Sequence, residues 1–463
     1  MDNPTATVIG SGPNGLSAAI ALAAAGVPTT VFERNNQPGG GCSSREMALP
    51  GFIQDLGSAA YPLGKASPFF RSLPVDIPWI ESPACCAHPL DDGTAVVVER
   101  SIDATLDTLD ECDRSSYRSL IEPLVRNFGK LVEEVLGPIQ HVPSHPLLLG
   151  RFGSMALFSA AALARYRFKG RRAQALFGGI STHSILPLDS SASSAVGLIL
   201  LAAGHSGGWP ILRGGAQYLT SALIRHLVAL GGTIVTAHEI SRMPQTDLVL
   251  ADLTPRQLLR LEDTELAPWY VEKLQRFRYG PGVFKIDYAL SCPIPWTATE
   301  CSRAATIHIG GSLEEIMEAE RALGSERPFV LLGQPSLFDF NRAPLGAHTA
   351  WAYCHVPNGS ASDQTEAIEN QISRFAPGFQ DCILARSVST PASLEQWNPN
   401  LIGGDILGGS MNLRQLINRP TSELYRTSRR GLYLCGASTP PGGGVHGMAG
   451  YHAAHVALAD LVA

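Results

Sequence analysis

The sequence has few charged residues and no paired-cysteine motif, and each of these features excludes classes of protein. Charged residues make up 16% of the 463 residues, and 35 Lys and Arg against 41 Asp and Glu leave a net charge of −6 without any basic tract. No nucleic-acid partner is therefore expected. The nine cysteines include no C-x-x-C pair. Reduced thiols in a cytoplasmic protein are expected rather than a disulfide framework, and no spacing of His, Cys or acidic residues predicts a metal site.

The sequence also has no clean apolar run of ~20 residues, so no transmembrane helix is predicted. Residues 8–27 are apolar, but glycines interrupt them and no basic segment precedes them, which argues against a signal peptide. The apolar share of 45% and the length predict a globular protein of two or three domains. The sequence does not indicate the oligomeric state.

The first forty residues have the pattern of a dinucleotide-binding βαβ unit. A strand at 7–9 is followed by G-x-G-x-x-G at 10–15, a helix at 16–25 and a second strand at 28–32 that ends before Glu33. The glycines allow a tight turn and close approach of a pyrophosphate, which the helix N-terminus attracts. The carboxylate of Glu33 is placed to accept hydrogen bonds from both ribose hydroxyls, which disfavours a 2′-phosphate and favours FAD or NAD over NADP.

A second glycine cluster favours FAD over NAD. Residues 37–45 read QPGGGCSSR, and small residues recur at 51–58, GFIQDLGS. These loops suit a flavin, whose ribityl chain and pyrophosphate continue past the ribose acid. The chain has one complete βαβ unit of this kind, so one cofactor and no separate nicotinamide domain are expected.

The remaining chain alternates between two kinds of segment. The predicted fold class is α/β, with a discontinuous FAD-binding Rossmann domain of the glutathione-reductase type and an α+β substrate domain on a mostly antiparallel sheet. Strand and helix patterns assign residues 1–75, 206–268 and 421–463 to the FAD-binding domain. They assign residues 76–205, mainly helical, and 269–420, mainly strands, to the substrate domain.

Three segments of the substrate domain carry predictions of their own. Residues 144–172 are apolar with basic flanks. One interpretation is a helix at a membrane surface or at the mouth of an apolar tunnel. The alternative is a core helix followed by a solvated basic loop. Residues 284–290 alternate as a half-buried strand does. Residues 395–409, rich in Gly, Asn and Pro, form either a surface loop or an ordered loop against the substrate.

The end of the chain, PPGGGVHGMAGYHAAH at 440–455, is a glycine-rich loop that precedes a helix. We expect this helix to begin near His446 and to direct its N-terminal dipole at the flavin, where negative charge gathers on reduction. His446 is an acid or base, a hydrogen-bond donor to the flavin, or a residue that holds the loop. Trp209 and His355 are the other candidate catalytic residues, and for each of them aromatic core packing is the alternative.

The chain resembles the phytoene desaturase-like FAD oxidoreductases, and within them the pyridine nucleotide-disulfide oxidoreductase domain-containing branch. The resemblance spans almost the full length. It rests on VIGSGPNG at 8–15, ERNNQPGGG at 33–41, GWPILRGG at 208–215, LVALGGTI at 227–234, WNPNLIGGDILGG at 397–409 and GLYLCGASTPPGGGVHGMAGYHAAHVAL at 431–458. It implies non-covalent FAD and an apolar substrate. His446 stands where bacterial phytoene desaturases have proline, which argues against carotenoid specificity.

These observations define a site and a reaction. The predicted cofactor-binding residues are Gly10, Gly12, Pro13, Asn14, Gly15, Glu33, Arg34, Gly40, Gly41, Cys42, Ser43, Gly57, Ser58, Ile240, Gly436, Gly444, Val445 and His446. We expect a dehydrogenase or desaturase that transfers hydride from a small apolar substrate to flavin N5 and is reoxidised by O2 or a quinone. The alternatives are a redox-neutral isomerase or cyclase, and a non-catalytic interaction protein that keeps the FAD fold.

Overall fold

In a computed structural model, residues 4–462 of the chain are described. The strands are β1 (Ala6–Ile9), β2 (Thr29–Phe32), β3 (Ser44–Glu46), β4 (Ile53–Asp55), β5 (Trp79–Ile80), β6 (Cys86–Pro89), β7 (Ala95–Val98), β8 (Ile211–Leu212), β9 (Thr233–Val235), β10 (Leu248–Ala251), β11 (Gly282–Leu290), β12 (Thr306–Ile309), β13 (Val330–Gly333), β14 (His348–Val356), β15 (Ile383–Ser389) and β16 (Leu432–Leu434).

Helices surround these strands and connect them. They are α1 (Pro13–Ala24), α2 (Pro62–Ala66), α3 (Pro68–Ser72), α4 (Ile102–Asp107), α5 (Glu111–Arg126), α6 (Phe128–Val135), α7 (Pro146–Ala156), α8 (Ala160–Arg167), α9 (Arg171–Ser181), α10 (Ser194–Gly207), α11 (Gln217–Ala229), α12 (Pro255–Leu258), α13 (Pro268–Gln275), α14 (Leu313–Arg321), α15 (Thr365–Phe375), α16 (Pro391–Trp397), α17 (Leu413–Ile417) and α18 (Met448–Leu461).

A five-stranded parallel sheet has the order β16-β10-β1-β2-β9. Its strands come from the beginning, the middle and the end of the chain, so three separate stretches form one Rossmann-type sheet. The helices α1 and α18 pack against each other beside it. A Cβ on Gly450 would lie 1.8 Å from the carbonyl oxygen of Asn14, so α18 needs glycine at this contact.

A second sheet has seven strands in the order β15-β11-β14-β13-β12-β6-β7 and is antiparallel except between β12 and β6. The predicted strand at 284–290 lies within β11, but the prediction that it is half-buried was wrong. All nine residues of β11 are buried. One face packs on the apolar core under α15, and the other is covered by helices and by loops of the nucleotide-binding sheet.

The segment 144–172 also differs from expectation, because the basic stretch after the apolar helix is not a loop. Among the described residues no single helix is long and apolar enough to cross a membrane, but α7 and α8, bent by 97°, pass the same length and composition test together. Arg165 and Arg167 lie in α8, and Arg172 lies in the first turn of α9 and donates to the carbonyl of Thr108. Several apolar side chains here are exposed, with Leu147 at 90%.

Candidate functional site

The first glycine loop lies between β1, in the middle of the parallel sheet, and the N-terminus of α1. Gly12 is the N-cap of α1, and no side chain caps the helix. A Cβ on Gly15 would lie 2.1 Å from the carbonyl oxygen of Gly10, so this turn closes only with glycine. Asn14 is buried and its Oδ1 has no hydrogen-bond partner. The loop therefore presents the N-terminus of α1 and an unpaired polar atom at one point, as a phosphate cradle requires.

Asp252, which follows β10, lies over this loop and was not predicted. Its Oδ2 accepts a hydrogen bond of 3.0 Å from the amide of Gly15. A Cβ on Gly12 would lie 2.7 Å from the same oxygen, and one on Gly436 2.7 Å from Oδ1. Burial, and secondarily the charge of Glu33, raise the pKa of Asp252 to about 7. The carboxyl group of Asp252 therefore already bonds to a helix N–H group that a diphosphate in the cradle would use.

Glu33 lies at the end of β2 as predicted for the ribose acid. It is buried, and its carboxylate accepts hydrogen bonds from the amide of Ser11 at 3.0 Å, the hydroxyl of Ser11 at 2.6 Å and the amide of Asn35 at 2.9 Å. Arg34 points to solvent. The amide of His238 donates to the carbonyl of Glu33, which brings the segment before the half-buried Ile240 beside the acid.

The second glycine cluster forms a layer on the first loop. A Cβ on Gly40 would lie 3.0 Å from the Cα of Gly12. The amide of Ser58 donates to the carbonyl of Gly41, and the Cys42 thiol and the Ser58 hydroxyl are 3.1 Å apart. Burial raises the pKa of the Cys42 thiol to about 12, so it stays protonated. Ser43 and Gly57 lie in the same layer. The hydroxyl of Ser43 donates to the carbonyl of Gly40, and Gly57 packs closely against the carbonyl of Gly41.

The C-terminal loop reaches the other side of α1. The helix α18 begins at Met448, two residues after His446 and so near it as predicted, and Gly447 is its N-cap, with a φ of 68°. His446 is buried, its Nδ1 accepts from the amide of Met448 at 3.1 Å, and its backbone carbonyl accepts from the hydroxyl of Ser67. Burial lowers the pKa of His446 to about 4, so the imidazole is neutral at pH 7. These contacts support the role of holding the loop.

Residues 401–409 are an ordered loop that lies against the C-terminal loop. Asp405, buried, accepts from the amides of Gly280, Leu407 and Gly409. Arg419, fully buried, donates to the carbonyls of four residues, which are Leu407, Gly409, Ser410 and Ala437. These bonds join the loop to the segment that follows β16 and bring it to the same side of the molecule as Gly436 and Gly444.

One face of the seven-stranded sheet is apolar, and the other mixes polar and apolar side chains. In β14, Ala350, Ala352, Cys354 and Val356 belong to the apolar core beneath α15, while Trp351, Tyr353 and His355 point to the opposite side. Cross-strand pairing places His308, Leu331, Tyr353 and Lys285 in one row on that opposite side. The row crosses three strand intervals, or roughly 14 Å.

The Lys285 end of this mixed face contacts the loops of the nucleotide-binding region. Lys285 donates to the carbonyl of Asp55 at 2.9 Å and pairs with Asp287. Arg342 in turn joins Asp55 and Asp339 at 3.0 Å each. All five residues are buried, and their charges are paired, so this network fixes the sheet to the β3–β4 hairpin.

The other end carries what we call the histidine cluster, which consists of His183, Trp209, His308, Glu320 and His355. The two Nε2 atoms of His183 and His308 are 2.9 Å apart, and Nδ1 of His355 lies 2.9 Å from each carboxylate oxygen of Glu320. Burial, and secondarily the nearby His355, lower the pKa of His183 to about 4. The pKa of His308 is lowered well below its usual range, first by burial and then by His183 and His88.

Both predicted catalytic candidates outside the C-terminal loop, Trp209 and His355, therefore lie in one cluster. Sequence reasoning did not bring them together with Glu320, since the five residues come from five separate segments. Within residues 4–462, no group of three or more His, Cys, Asp or Glu side chains is arranged to hold a metal ion.

Comparisons with known proteins agree with this architecture. Residues 8–73 match a family described as an NAD(P)-binding Rossmann-like domain. The chain is 26% identical to pyridine nucleotide-disulfide oxidoreductase domain-containing protein 2 of Rattus norvegicus, over 98% of this chain and 93% of that protein. The resemblance predicted from the sequence is thereby confirmed.

Solved structures confirm the predicted fold class. An oxidoreductase from Methanosarcina mazei has a TM-score of 0.66 at 17% identity, over 98% of this chain and 100% of its own. Cyclohexylamine oxidase from Brevibacterium oxydans has a TM-score of 0.59 at 14% identity, over the whole of both chains. At these identities the likenesses show the fold, and the match over residues 8–73 adds a Rossmann-like dinucleotide-binding domain.

Proposed function

We propose that the protein is an FAD-dependent oxidoreductase of the dehydrogenase or desaturase type, which takes hydride from an organic substrate with a large apolar part. The observation that carries this proposal is the cradle at α1. Gly10 with a positive φ, Gly15 with no room for a Cβ, an uncapped helix N-terminus and the ribose acid Glu33 lie together, beneath a second glycine layer. This donor set fits the pyrophosphate and ribose of FAD.

FAD would supply the redox chemistry, as an acceptor of two electrons and a proton. The chain would hold it and exclude water. Glu33 would accept hydrogen bonds from the ribose, exchanging some of its bonds with Ser11 for bonds to the hydroxyls. The amides at the start of α1 would bind the pyrophosphate. The loop of Gly444, Val445 and His446, followed by the N-terminus of α18, would stabilise negative charge on the cofactor.

The proposed electron acceptor is O2 or a quinone. The support for this choice is that residues 4–462 form one dinucleotide-binding βαβ unit, from β1, α1 and β2, and no second one that would take NAD(P)H. The sheet face between Lys285 and the histidine cluster is the proposed substrate surface, because it carries buried polar side chains, His308 and His355 among them, beside apolar ones.

The experiment is spectroscopic. The purified protein should carry the visible absorption of FAD, released by denaturation without proteolysis because it is non-covalent. Under anaerobic conditions the absorption should bleach with a substrate from a panel of apolar alcohols, polyenes and amines, and should return with O2 or a quinone. Protein that neither retains nor rebinds FAD would refute the proposal, and rapid bleaching by NADH would refute the choice of acceptor.

We also propose that the surface around α7 contacts a membrane, from which an apolar substrate would enter. Val142 and Leu147 are 91% and 90% exposed, and Leu157, Phe158 and Tyr166 lie exposed on the neighbouring turn and α8. Basic side chains of α8 are close to this surface. Exposed apolar residues beside basic ones are typical of helices that bind at the interface of a bilayer.

A further inference from the structure

Two cysteines at one end of the seven-stranded sheet lie with their sulfur atoms in contact. The Sγ atoms of Cys292 and Cys382 are 2.9 Å apart, although the residues are 90 positions apart in the chain. Both are free thiols, as are the other seven cysteines. The two sulfurs of a disulfide are about 2.05 Å apart, so this pair needs to approach by only about 1 Å to form one.

The backbone holds the pair in place. Cys292 follows β11 and Cys382 directly precedes β15. These strands are antiparallel neighbours, and Leu290 pairs with Ile383 at their end. The amide of Ser291 donates to the carbonyl of Cys382 at 2.8 Å, and the hydroxyl of Ser291 donates to the same oxygen at 3.2 Å. A bond between the sulfurs would therefore join two segments that are already paired.

The two thiols differ in exposure, which sets the order in which they react. Cys292 is half-buried between the exposed residues Ser291 and Pro293, so a small oxidant in solution can reach it. Cys382 is buried, and its thiol donates to the carbonyl of Gly378 at 3.5 Å. Burial, and secondarily the hydrogen bond with Cys292, raise the pKa of Cys382 to about 12, so this thiol is protonated at pH 7. An accessible thiol beside a second one is the arrangement that reversible cysteine oxidation needs.

We propose that Cys292 and Cys382 form a reversible disulfide in response to a peroxide. The sulfur of Cys292 attacks one oxygen of hydrogen peroxide and the O–O bond breaks, which gives a sulfenic acid on Cys292 and one water. The sulfur of Cys382 then displaces the hydroxyl group of that sulfenic acid, which leaves with the Cys382 proton as a second water, and the S–S bond forms. The two thiols together lose two electrons, and one peroxide gains them.

The cross-link would close a loop of the chain that contains β12, β13 and β14. A link between residues 90 positions apart restricts the unfolded chain strongly, so it should stabilise this sheet. The inference goes beyond the proposed function and depends on it only for a source of oxidant, since an enzyme that reduces O2 by two electrons forms hydrogen peroxide. The pair itself can be tested with added peroxide and without turnover.

The test adds hydrogen peroxide in small molar excess to the reduced full-length protein. The remaining thiols are alkylated with N-ethylmaleimide after denaturation and counted by intact mass. We expect the count to fall by two from the nine of the reduced protein, and dithiothreitol to restore it. A digest without reductant should contain peptides joined through Cys292 and Cys382. The oxidised protein should melt roughly 5 °C higher than the reduced protein.

Variants assign the effect to the pair. Cys292→Ser and Cys382→Ser should each abolish the linked peptides and the rise in melting temperature. Cys112→Ser is the matched control, because Cys112 is an exposed thiol on α5, and this variant should lose two thiols as wild type does. The melting temperature of each reduced variant separates loss of the pair from loss of the fold, and the peptide analysis of wild type needs no variant.

An unchanged thiol count would overturn the inference, and so would a sulfinic acid on Cys292 with Cys382 still alkylated. Linked peptides that come only from disulfide-bonded dimers on a non-reducing gel would overturn it as well. The FAD content of the same samples distinguishes the two proposals. A flavoprotein whose thiols do not respond to peroxide refutes the disulfide alone. A protein that cannot take up FAD but forms the link with added peroxide supports the disulfide and refutes the proposed oxidoreductase.

Discussion

The carboxylate of Asp252 accepts a hydrogen bond of 3.0 Å from the amide of Gly15, 237 residues earlier in the chain. The amide belongs to the first turn of α1, so the carboxylate occupies the end of the helix that favours an anion. A diphosphate in this cradle would bring further negative charge to the carboxyl group of Asp252.

FAD affinity should therefore depend on pH through Asp252. Its pKa in the free protein is raised to about 7, and like charge raises it further when FAD is bound, so binding takes up a proton. Below pH 7 the carboxyl is already protonated and the dissociation constant should be flat. Above pH 7 it should rise up to tenfold per pH unit, as measured by flavin fluorescence on adding FAD to deflavinated protein.

Asp252→Asn should remove this dependence between pH 6 and pH 9 and bind FAD more tightly than wild type at pH 8.5. The control is Asp247→Asn, whose carboxylate is exposed and bonds to Thr5. It should keep the wild-type profile. An Asp252→Asn profile that still rises above pH 7 would assign the proton to another group, of which Glu33 and Cys435 are the titratable neighbours that interact with Asp252.

His446→Ala should retain FAD, because the wild-type ring is neutral and its Nδ1 bonds within its own loop. We expect the rate of flavin reduction to change less than threefold, with no shift of its pH profile, and the melting temperature to fall. Stopped-flow absorbance and thermal melting measure these. His455→Ala, exposed on α18, is the control for both. A hundredfold loss of the reduction rate would instead make His446 catalytic.

Low pH should destabilise the protein through its buried histidines. Burial lowers the pKa of His183, His205 and His446 to about 4, below the value near 6.5 in an unfolded chain. The unfolded state therefore binds more protons as the pH falls, so this stability is present above pH 6.5 and is lost from there toward pH 4. Urea unfolding at successive pH values measures the loss, and a free energy of unfolding that stays constant from pH 6.5 to 4.5 would contradict it.

Arg419→Met should lower the free energy of unfolding by about 3–5 kcal/mol, the usual cost of removing one partner of a buried charged network. The substitution leaves carbonyl groups of both the 401–409 loop and the C-terminal loop without donors, and leaves Asp405 without a nearby cation. Arg414→Met, which is exposed, should cost little. Urea unfolding compares the two variants, and equal midpoints would show that Arg419 does not hold the loops together.

The protein should co-sediment with vesicles of phosphatidylcholine and phosphatidylserine. Leu147→Asp should reduce the bound fraction severalfold, because it places a charge on the apolar surface of α7. Leu345→Asp is a matched control, since Leu345 is also fully exposed but lies in a loop of the other half of the substrate domain. If both variants bind as wild type does, α7 is not the contact.

Local patterns predicted the elements whose residues are close in sequence. The first βαβ unit was predicted within a few residues, and the helix at 16–25 is observed at Pro13–Ala24. The glycine loops, too, have a local signature, since each needs small residues in one short run. The start of α18 was also predicted within two residues, and a glycine in a left-handed conformation, Gly447, ends the loop there.

Contacts between distant segments could not be predicted in this way. Asp252 follows an ordinary strand, and nothing nearby in sequence shows that this strand pairs with β1. The alternation in β11 predicted the strand correctly but wrongly predicted that one of its faces is exposed to solvent. Alternation indicates that the two faces have different surroundings, but it does not show that one of those surroundings is water. In the histidine cluster, Glu320 and His355 are 35 residues apart and meet through the packing of α14 on β14.

Because the two faces of β14 have different surroundings, a shift of its register by one residue is not tolerated, and the composition of the strand does not reveal this. Its odd-numbered residues Trp351, Tyr353 and His355 face the proposed substrate, and its even-numbered neighbours form the core beneath α15. One residue inserted at the start of β14 would exchange the two sets. Aromatic rings and an imidazole would enter the core beneath α15 while alanines took their places on the other face, so one insertion would damage both faces together. Substitutions can therefore alter the face of Trp351, Tyr353 and His355 one residue at a time, whereas an insertion disturbs the whole strand unless it lies in a loop on either side.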